Sequence, residues 1–217
     1  MSDRKYNAVI FDLDGTLLDT LEDLTDSVNY ALSEMGYRTR TIEEVRCFVG
    51  NGVEKLMKRA VPEGISGEDF DKTFCLFKEY YGKNSRVKTK PYKGVCELIS
   101  TLKDRGYKIG IVSNKLESAV CDLRDDFFAG VDVALGDVEG RRRKPYPDSC
   151  NEALKLLGVD REHAIYVGDS DVDLLTAKNA CLRCISVTWG FRDRDFLIAH
   201  NAEVFADCPM EILDIIE

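Results

Sequence analysis

The stretch AVIFDLDGTLLDT, residues 8–20, runs four apolar side chains into a group of aspartates, threonines and a glycine. Unbroken apolar character over a few residues marks a strand covered on both faces, and the segment is read as a strand over 8–14. Carboxylates at the end of a buried strand are penalised unless a cation, an array of donors or an open cleft compensates them. On an extended chain residues i and i+2 point the same way, so Asp12 and Asp14 can share one cleft, and Gly15 lets the chain turn sharply behind them.

Apolar runs of the same type occur at KIGIVSN (108–114), AIYVGD (164–169) and CISVTWG (184–190), with weaker ones at VDVALG (131–136) and AEVFAD (202–207). Helical patterns bounded by turn residues lie between them: KGVCELISTLKDRG, PYPDSCNEALKLLG and SDVDLLTAKNA. This alternation predicts an α/β fold with a doubly wound, mostly parallel, Rossmann-like sheet. From about Leu17 to Lys90 the rhythm breaks, with helix-like segments and no convincing strand. A connection that long inside a compact domain is usually functional, so an all-helical cap over 18–88 is expected, inserted into a core of 1–17 and 89–217.

A chain of 217 residues with 44% hydrophobic content can bury one large core or a core with an insert. No run approaches the roughly 18 apolar residues of a membrane span, and the polar opening MSDRKYN lacks a signal peptide's apolar segment, so a cytoplasmic protein is expected. The net charge of −9 disfavours nucleic acid and anionic membranes as partners. Eight cysteines without framework spacing are read as free thiols, most of them small core residues. Cys181 and Cys184 form a lone CxxC pair, read as small buried side chains rather than a metal or redox site. His163 and His200 have no triad partner at a recognisable spacing and are read as structural.

Ligands of open α/β sheets gather outside the carboxyl ends of the strands. Those ends carry Asp12 and Asp14, Ser113 and Asn114, and Asp169, types that hold cations or phosphates. An oxygen-rich cluster of Asp12, Asp14 and Asp169 suits Mg2+, which prefers hard ligands and is often completed by a substrate phosphate. A carboxylate can attack phosphorus to give an aspartyl-phosphate, while a second one protonates the leaving oxygen and later deprotonates water. Ser113 and Asn114 offer donors to phosphoryl oxygens, and Lys144, placed before Pro145 at an expected helix start, offers charge. Arg141, Arg142 and Arg143 are read as a solvated loop, Asp171 as a helix cap, and Asp173 as a second-layer residue within reach of Lys144 or of water on the metal.

Taken in order, DLDGT, SN, KP and GDSDVD resemble the four motifs of the haloacid dehalogenase superfamily. The resemblance implies Asp12 as nucleophile, Asp14 as acid and base, Ser113 and Lys144 as phosphate holders, and Mg2+ held by the Asp12 side chain, the Asp14 carbonyl and Asp169. It also implies a cap that closes over the core. The stretches VRCFVGNGVEKLMKRAV and GFRDRDFLIAHNAEVFAD resemble the phosphoglycolate phosphatase branch, which points to a small phosphorylated metabolite, with 2-phosphoglycolate the leading substrate. Arg46 can pair with a substrate carboxylate and the turn Gly50, Asn51, Gly52 can bring backbone amides close to a small ligand. Pyrophosphatases, sugar-phosphate phosphatases and phosphomutases share such caps and stand as alternatives, and a phosphoaccepting signalling domain is a more distant one. The oligomeric state is left open.

Overall fold

The computed structural model describes residues 5–50 and 52–217. The chain forms two compact units, one of Pro91–Glu217 together with the segment ending at Leu17, the other Leu18–Lys90.

The first unit is a Rossmann-like α/β fold. In chain order its sheet contains β1 (Ala8–Phe11), β4 (Lys108–Leu116), β5 (Val133–Asp137), β6 (Ala164–Gly168), β7 (Arg183–Val187) and β8 (Phe205–Ala206). They lie in the order β5-β4-β1-β6-β7-β8, every neighbouring pair parallel. Ala8 through Phe11 are fully buried, as expected of a strand with both faces covered. One register places Ala8 opposite both Lys108 and Ala164, so the carboxyl ends of β1, β4 and β6 stand side by side. The chain builds outward from β1 first through β4 to β5, then through β6 to β8, and that reversal makes β1 the switch point where ligands bind in such sheets.

Helices α5 (Val95–Asp104), α6 (Glu117–Phe127), α7 (Asp148–Leu157), α8 (Asp171–Asn179), α9 (Arg194–Ala199) and α10 (Glu211–Ile216) complete this unit. Cys150, Ala153, Leu154 and Leu157 of α7 pack with Ala8, Ile10, Val112 and Tyr166 of the sheet. The start of α6 passes so close to β5 that a Cβ on Gly136 would lie 2.5 Å from the Glu117 Cα. Only glycine fits there, because the obstacle is backbone.

The second unit holds α1 (Leu21–Glu34), α2 (Ile42–Phe48), α3 (Val53–Ala60) and α4 (Gly67–Asn84). Its separate core joins Leu24, Val28 and Leu32 of α1 to Val45, Leu56, Met57 and Phe77. Thr41 and Glu44 form a reciprocal capping box at α2, and the Ser66 hydroxyl caps α4. The Asp23 carboxylate accepts the backbone N–H groups of Lys88 (3.0 Å) and Thr89 (2.8 Å) and the Thr89 hydroxyl (2.8 Å), tying the start of α1 to the end of the unit. The segment is not wholly without strand, as its sequence suggests: β2 (Leu18–Asp19) pairs with β3 (Lys90–Pro91) in a two-residue ribbon. Among the described residues no helix is long and apolar enough to cross a membrane.

Candidate active site

Asp12 follows the last residue of β1, is buried, and donates its backbone N–H to the Val167 carbonyl of β6 at 2.8 Å. Its Oδ1 receives the Lys144 ammonium at 2.6 Å. The same ammonium donates to Asp173 Oδ1 at 2.8 Å and to the Tyr166 hydroxyl at 3.2 Å, and Tyr166 in turn donates to Asp173 Oδ1 at 2.9 Å. Burial pulls the Lys144 pKa down, but the charges of Asp12 and Asp173 outweigh it and hold the group well above an ordinary lysine. Burial likewise raises the Tyr166 hydroxyl, which stays a donor.

Lys144 does not stand at a helix start. The helix after it begins at Asp148, and Lys144 arrives in the preceding loop. Asn114 places it: its Oδ1 accepts the Lys144 N–H at 2.7 Å and its Nδ2 donates to the Lys144 carbonyl at 3.1 Å. The amide expected to hold phosphate is thus engaged in fixing the backbone of the lysine that faces Asp12.

Asp169 follows the end of β6, and its Oδ2 accepts the Phe191 N–H at 2.6 Å. Burial, then the nearby Asp173, push its pKa up to about 7, with Phe191 and Lys144 opposing. The surrounding backbone is packed against this carboxylate. A Cβ on Gly15, whose φ of +90° already favours glycine, would sit 2.4 Å from Asp169 Oδ2. Asp173 is placed by a capping box at the start of α8, its Oδ2 accepting the Ser170 hydroxyl at 2.6 Å and the Ser170 N–H at 3.1 Å. The cap is therefore formed by Ser170 and Asp173, not by Asp171, which faces Arg192 at 4.0 Å.

Carboxylate oxygens of Asp12, Asp169 and Asp173 come within 4.8 Å of one another, with Lys144 the ammonium bonded among them. Burial and then Asp173 raise the Asp12 pKa well above its ordinary value, only partly relieved by Lys144. A divalent cation would restore the balance, and the hard oxygen donors fit one. Because both Asp173 oxygens are engaged by Lys144, Tyr166 and Ser170, the side chains best able to hold it are Asp12 and Asp169.

A second pair lies on the side of β4. Ser113 Oγ is 3.4 Å from Asp14 Oδ2, and Lys115 donates to Asp14 Oδ1 at 2.7 Å. Lys115 and Tyr166 are the site residues that sequence reasoning passed over. Alternation along β4 from Ser113 was an available signal for Lys115, whereas Tyr166 lay inside an apolar strand and carried none.

Arg46 belongs to the helical unit, where it is exposed in the last turn of α2. Gly50 and Gly52 have positive φ of 124° and 82°, and Gly52 precedes α3; Asn51 lies outside the described residues. Of the three arginines, Arg141 is not solvated: its side chain is 11% exposed and bonds Glu117, Glu152 and the Gly136 carbonyl. Arg142 and Arg143 are exposed and pair with Asp148 and Asp137. The expectation of mostly buried cysteines fails. Cys150 packs in the core, its thiol pushed up to about 12 by burial, but Cys47, Cys75 and Cys96 lie on the solvent faces of helices and Cys181 and Cys208 in turns, all of them exposed. Cys181 is exposed and Cys184 half-buried, both as free thiols. His163 Nδ1 meets the Lys5 carbonyl at 3.0 Å, and His200 ends α9 stacked on Phe196.

Acidic groups and a buried lysine gathered at the switch point of a parallel sheet, with a helical unit interrupting the chain after β1, define a class of α/β hydrolytic enzymes. A model of the haloacid dehalogenase-like hydrolases matches residues 9–187. The chain belongs to that family. It is 33% identical to phosphoglycolate phosphatase 1 of Pseudomonas aeruginosa over 95% of this chain and 75% of that protein. It is 30% identical to the phosphoglycolate phosphatase of Vibrio parahaemolyticus, covering 100% of this chain and 98% of the relative. Among solved structures, a candidate phosphoglycolate phosphatase from Lactobacillus delbrueckii subsp. bulgaricus superposes with a TM-score of 0.93 at 37% identity over 98% of both chains.

Proposed function

We infer that the protein is a Mg2+-dependent phosphomonoester phosphatase that works through an aspartyl-phosphate on Asp12 and acts on a small phosphorylated metabolite, with 2-phosphoglycolate the leading substrate. The observation that carries this reading is the buried Asp12 at the switch point, bonded to Lys144 and adjacent to the Asp169 carboxylate. The substrate rests on the similarity to phosphoglycolate phosphatases.

In this reading an Asp12 oxygen attacks phosphorus, the bond to the ester oxygen breaks, and Asp14 gives the leaving oxygen its proton. Water then attacks the phosphorus, passes a proton back to Asp14, and the bond to Asp12 breaks, releasing inorganic phosphate. Ser113 and Lys144 donate to the phosphoryl oxygens, and Asn114 keeps Lys144 in place. The Asp12 and Asp169 side chains and the Asp14 carbonyl would hold Mg2+, which would offset the negative charge that a bound phosphate adds. The helical unit acts as the cap and selects the leaving group, with Arg46, Gly50, Asn51 and Gly52 assigned to that choice. The site of action is cytoplasmic, with no nucleic acid or membrane partner.

The test is release of inorganic phosphate from a panel of phosphorylated metabolites, with Mg2+ and again in excess chelator. Turnover led by 2-phosphoglycolate and abolished by chelation is expected. A flat, uniformly poor profile would remove the substrate, and full activity in chelator would remove the metal.

A further inference from the structure

Lys115 has a side chain only 7% exposed, and its ammonium meets Asp14 Oδ1 at 2.7 Å. The register of β4 shifts between Val112 and Leu116. Across that irregular stretch Ser113 and Lys115 both reach Asp14, while Asn114 between them turns to the Lys144 backbone. The Lys115 N–H also donates to Ser113 Oγ at 3.1 Å, which locks the two residues together. Asp14 thus has one oxygen on Lys115 and the other facing Ser113.

Given the phosphatase reading above, on which this inference rests, Ser113 turns to the phosphoryl oxygens while Asp14 meets a leaving oxygen, so the Lys115 ion pair is the contact that holds Asp14 back. The Ser113 contact is long at 3.4 Å, and the ion pair is the strong one. An ammonium this far from solvent gives up a carboxylate only for another anion. Lys144 is not the cation that receives this second anion, since it is committed to Asp12, Asp173 and, in the reading above, the phosphoryl group.

We propose that Lys115 is a specificity-determining residue that binds a second acidic group on the substrate and, in doing so, releases Asp14 toward the leaving oxygen. Because Lys115 touches Asp14 directly, that acidic group must lie within a few bonds of the ester oxygen. The substrate class is therefore phosphate monoesters of short-chain acids, in preference to neutral alcohol phosphates of the same size.

The test compares 2-phosphoglycolate with 2-hydroxyethyl phosphate, in which a neutral CH2OH replaces the carboxylate, for the wild-type enzyme and for Lys115→Met. Wild-type kcat/KM should favour the acid by about 10- to 100-fold, the range of one hydrogen bond to a charged group. Lys115→Met should reduce that ratio to within about threefold of unity. Wild-type turnover of both esters without preference would overturn the inference, and this comparison does not depend on the variant folding. An unchanged ratio in a Lys115→Met protein with native circular dichroism would overturn it as well. Hydrolysis of neither ester by the wild type would instead overturn the assignment of 2-phosphoglycolate as substrate and the inference with it.

Discussion

Lys144 brings together two carboxylates that would otherwise repel, donating to Asp12 at 2.6 Å and Asp173 at 2.8 Å while fully surrounded by protein. Removing one member of a buried ionic group leaves the others uncompensated, at a cost of about 3–5 kcal/mol. Lys144→Met keeps the length and apolar stem but not the charge. It is expected to lower stability to urea by about that amount, measured in chelator, and to abolish phosphate release. A stability equal to wild type would mean that the carboxylates are compensated by other groups. Asp12 and Asp169 are legible because they stand at strand ends, where a polar side chain contradicts its apolar surroundings, whereas Lys144 and Asp173 are legible only from the local KP and GDSDVD patterns. Tyr166 was passed over because it is amphipathic: its ring belongs to the core and its hydroxyl to the ionic cluster, and within AIYVG it reads as one more buried residue. Lys144 was placed at a helix start because Pro145 follows it, but the proline precedes a loop, and the contact that positions Lys144 is the reciprocal Asn114 amide, a pairing 30 residues apart.

Where elements meet, the strands with both faces buried are the most legible, since a short, continuous apolar run between turn residues suits a central strand better than an amphipathic helix; β1, β4, β6 and β7 all overlap the runs read from the sequence, although β1 ends at Phe11 rather than at residue 14 and β7 at Val187 rather than at 190, where the apolar character gives way to polar residues and glycine. Helix α6 had no such signal. It buries only Val120 and Leu123, and its position follows from Gly136, whose missing side chain admits the helix backbone. Arg141 completes that junction by linking Glu117 of α6, the Gly136 carbonyl of β5 and Glu152 of α7. Arg141→Ala is expected to destabilise the protein by about 1–3 kcal/mol, as loss of charge-assisted hydrogen bonds does. The same junction sets a pH dependence. The Arg141 hydrogen bond, helped by the Gly136 N–H and opposed by burial, holds the Glu117 pKa below its ordinary value of 4.5. A carboxylate depressed in the folded state stabilises above its unfolded pKa and loses that contribution as pH falls through its folded pKa. Stability should therefore fall as pH drops below about 4.5, with a shallower decline in Arg141→Ala, where Glu117 keeps only the weaker Gly136 N–H bond. Parallel acid profiles for the two proteins would assign the decline to other carboxylates.

At the scale of the whole molecule, sequence reasoning finds the α/β core and a helical interruption from about Leu17 to Lys90, with its second junction near Lys88 to Pro91, and the compact unit ends at Lys90. What no local pattern signals is the contact that closes the unit, from the Lys88 and Thr89 N–H groups to Asp23, 65 residues away in sequence. With carboxylates in excess of ammonium groups around Asp12, a divalent cation bound there would couple to folding. A cation that binds only the folded state stabilises by about 2.7 kcal/mol at a hundred times its Kd. Mg2+ should therefore raise the wild-type melting temperature, and Asp169→Asn should greatly reduce the shift, with no shift in the wild type arguing against a metal site. The central claim is that Asp12 is the nucleophile. It is tested most directly by phosphate release from Asp12→Asn, a change of nearly equal size that replaces the nucleophilic carboxylate with a poorly nucleophilic amide. Loss of turnover on the order of 10⁴-fold in a protein with native circular dichroism is expected. Residual hydrolysis within about tenfold of wild type would contradict the account.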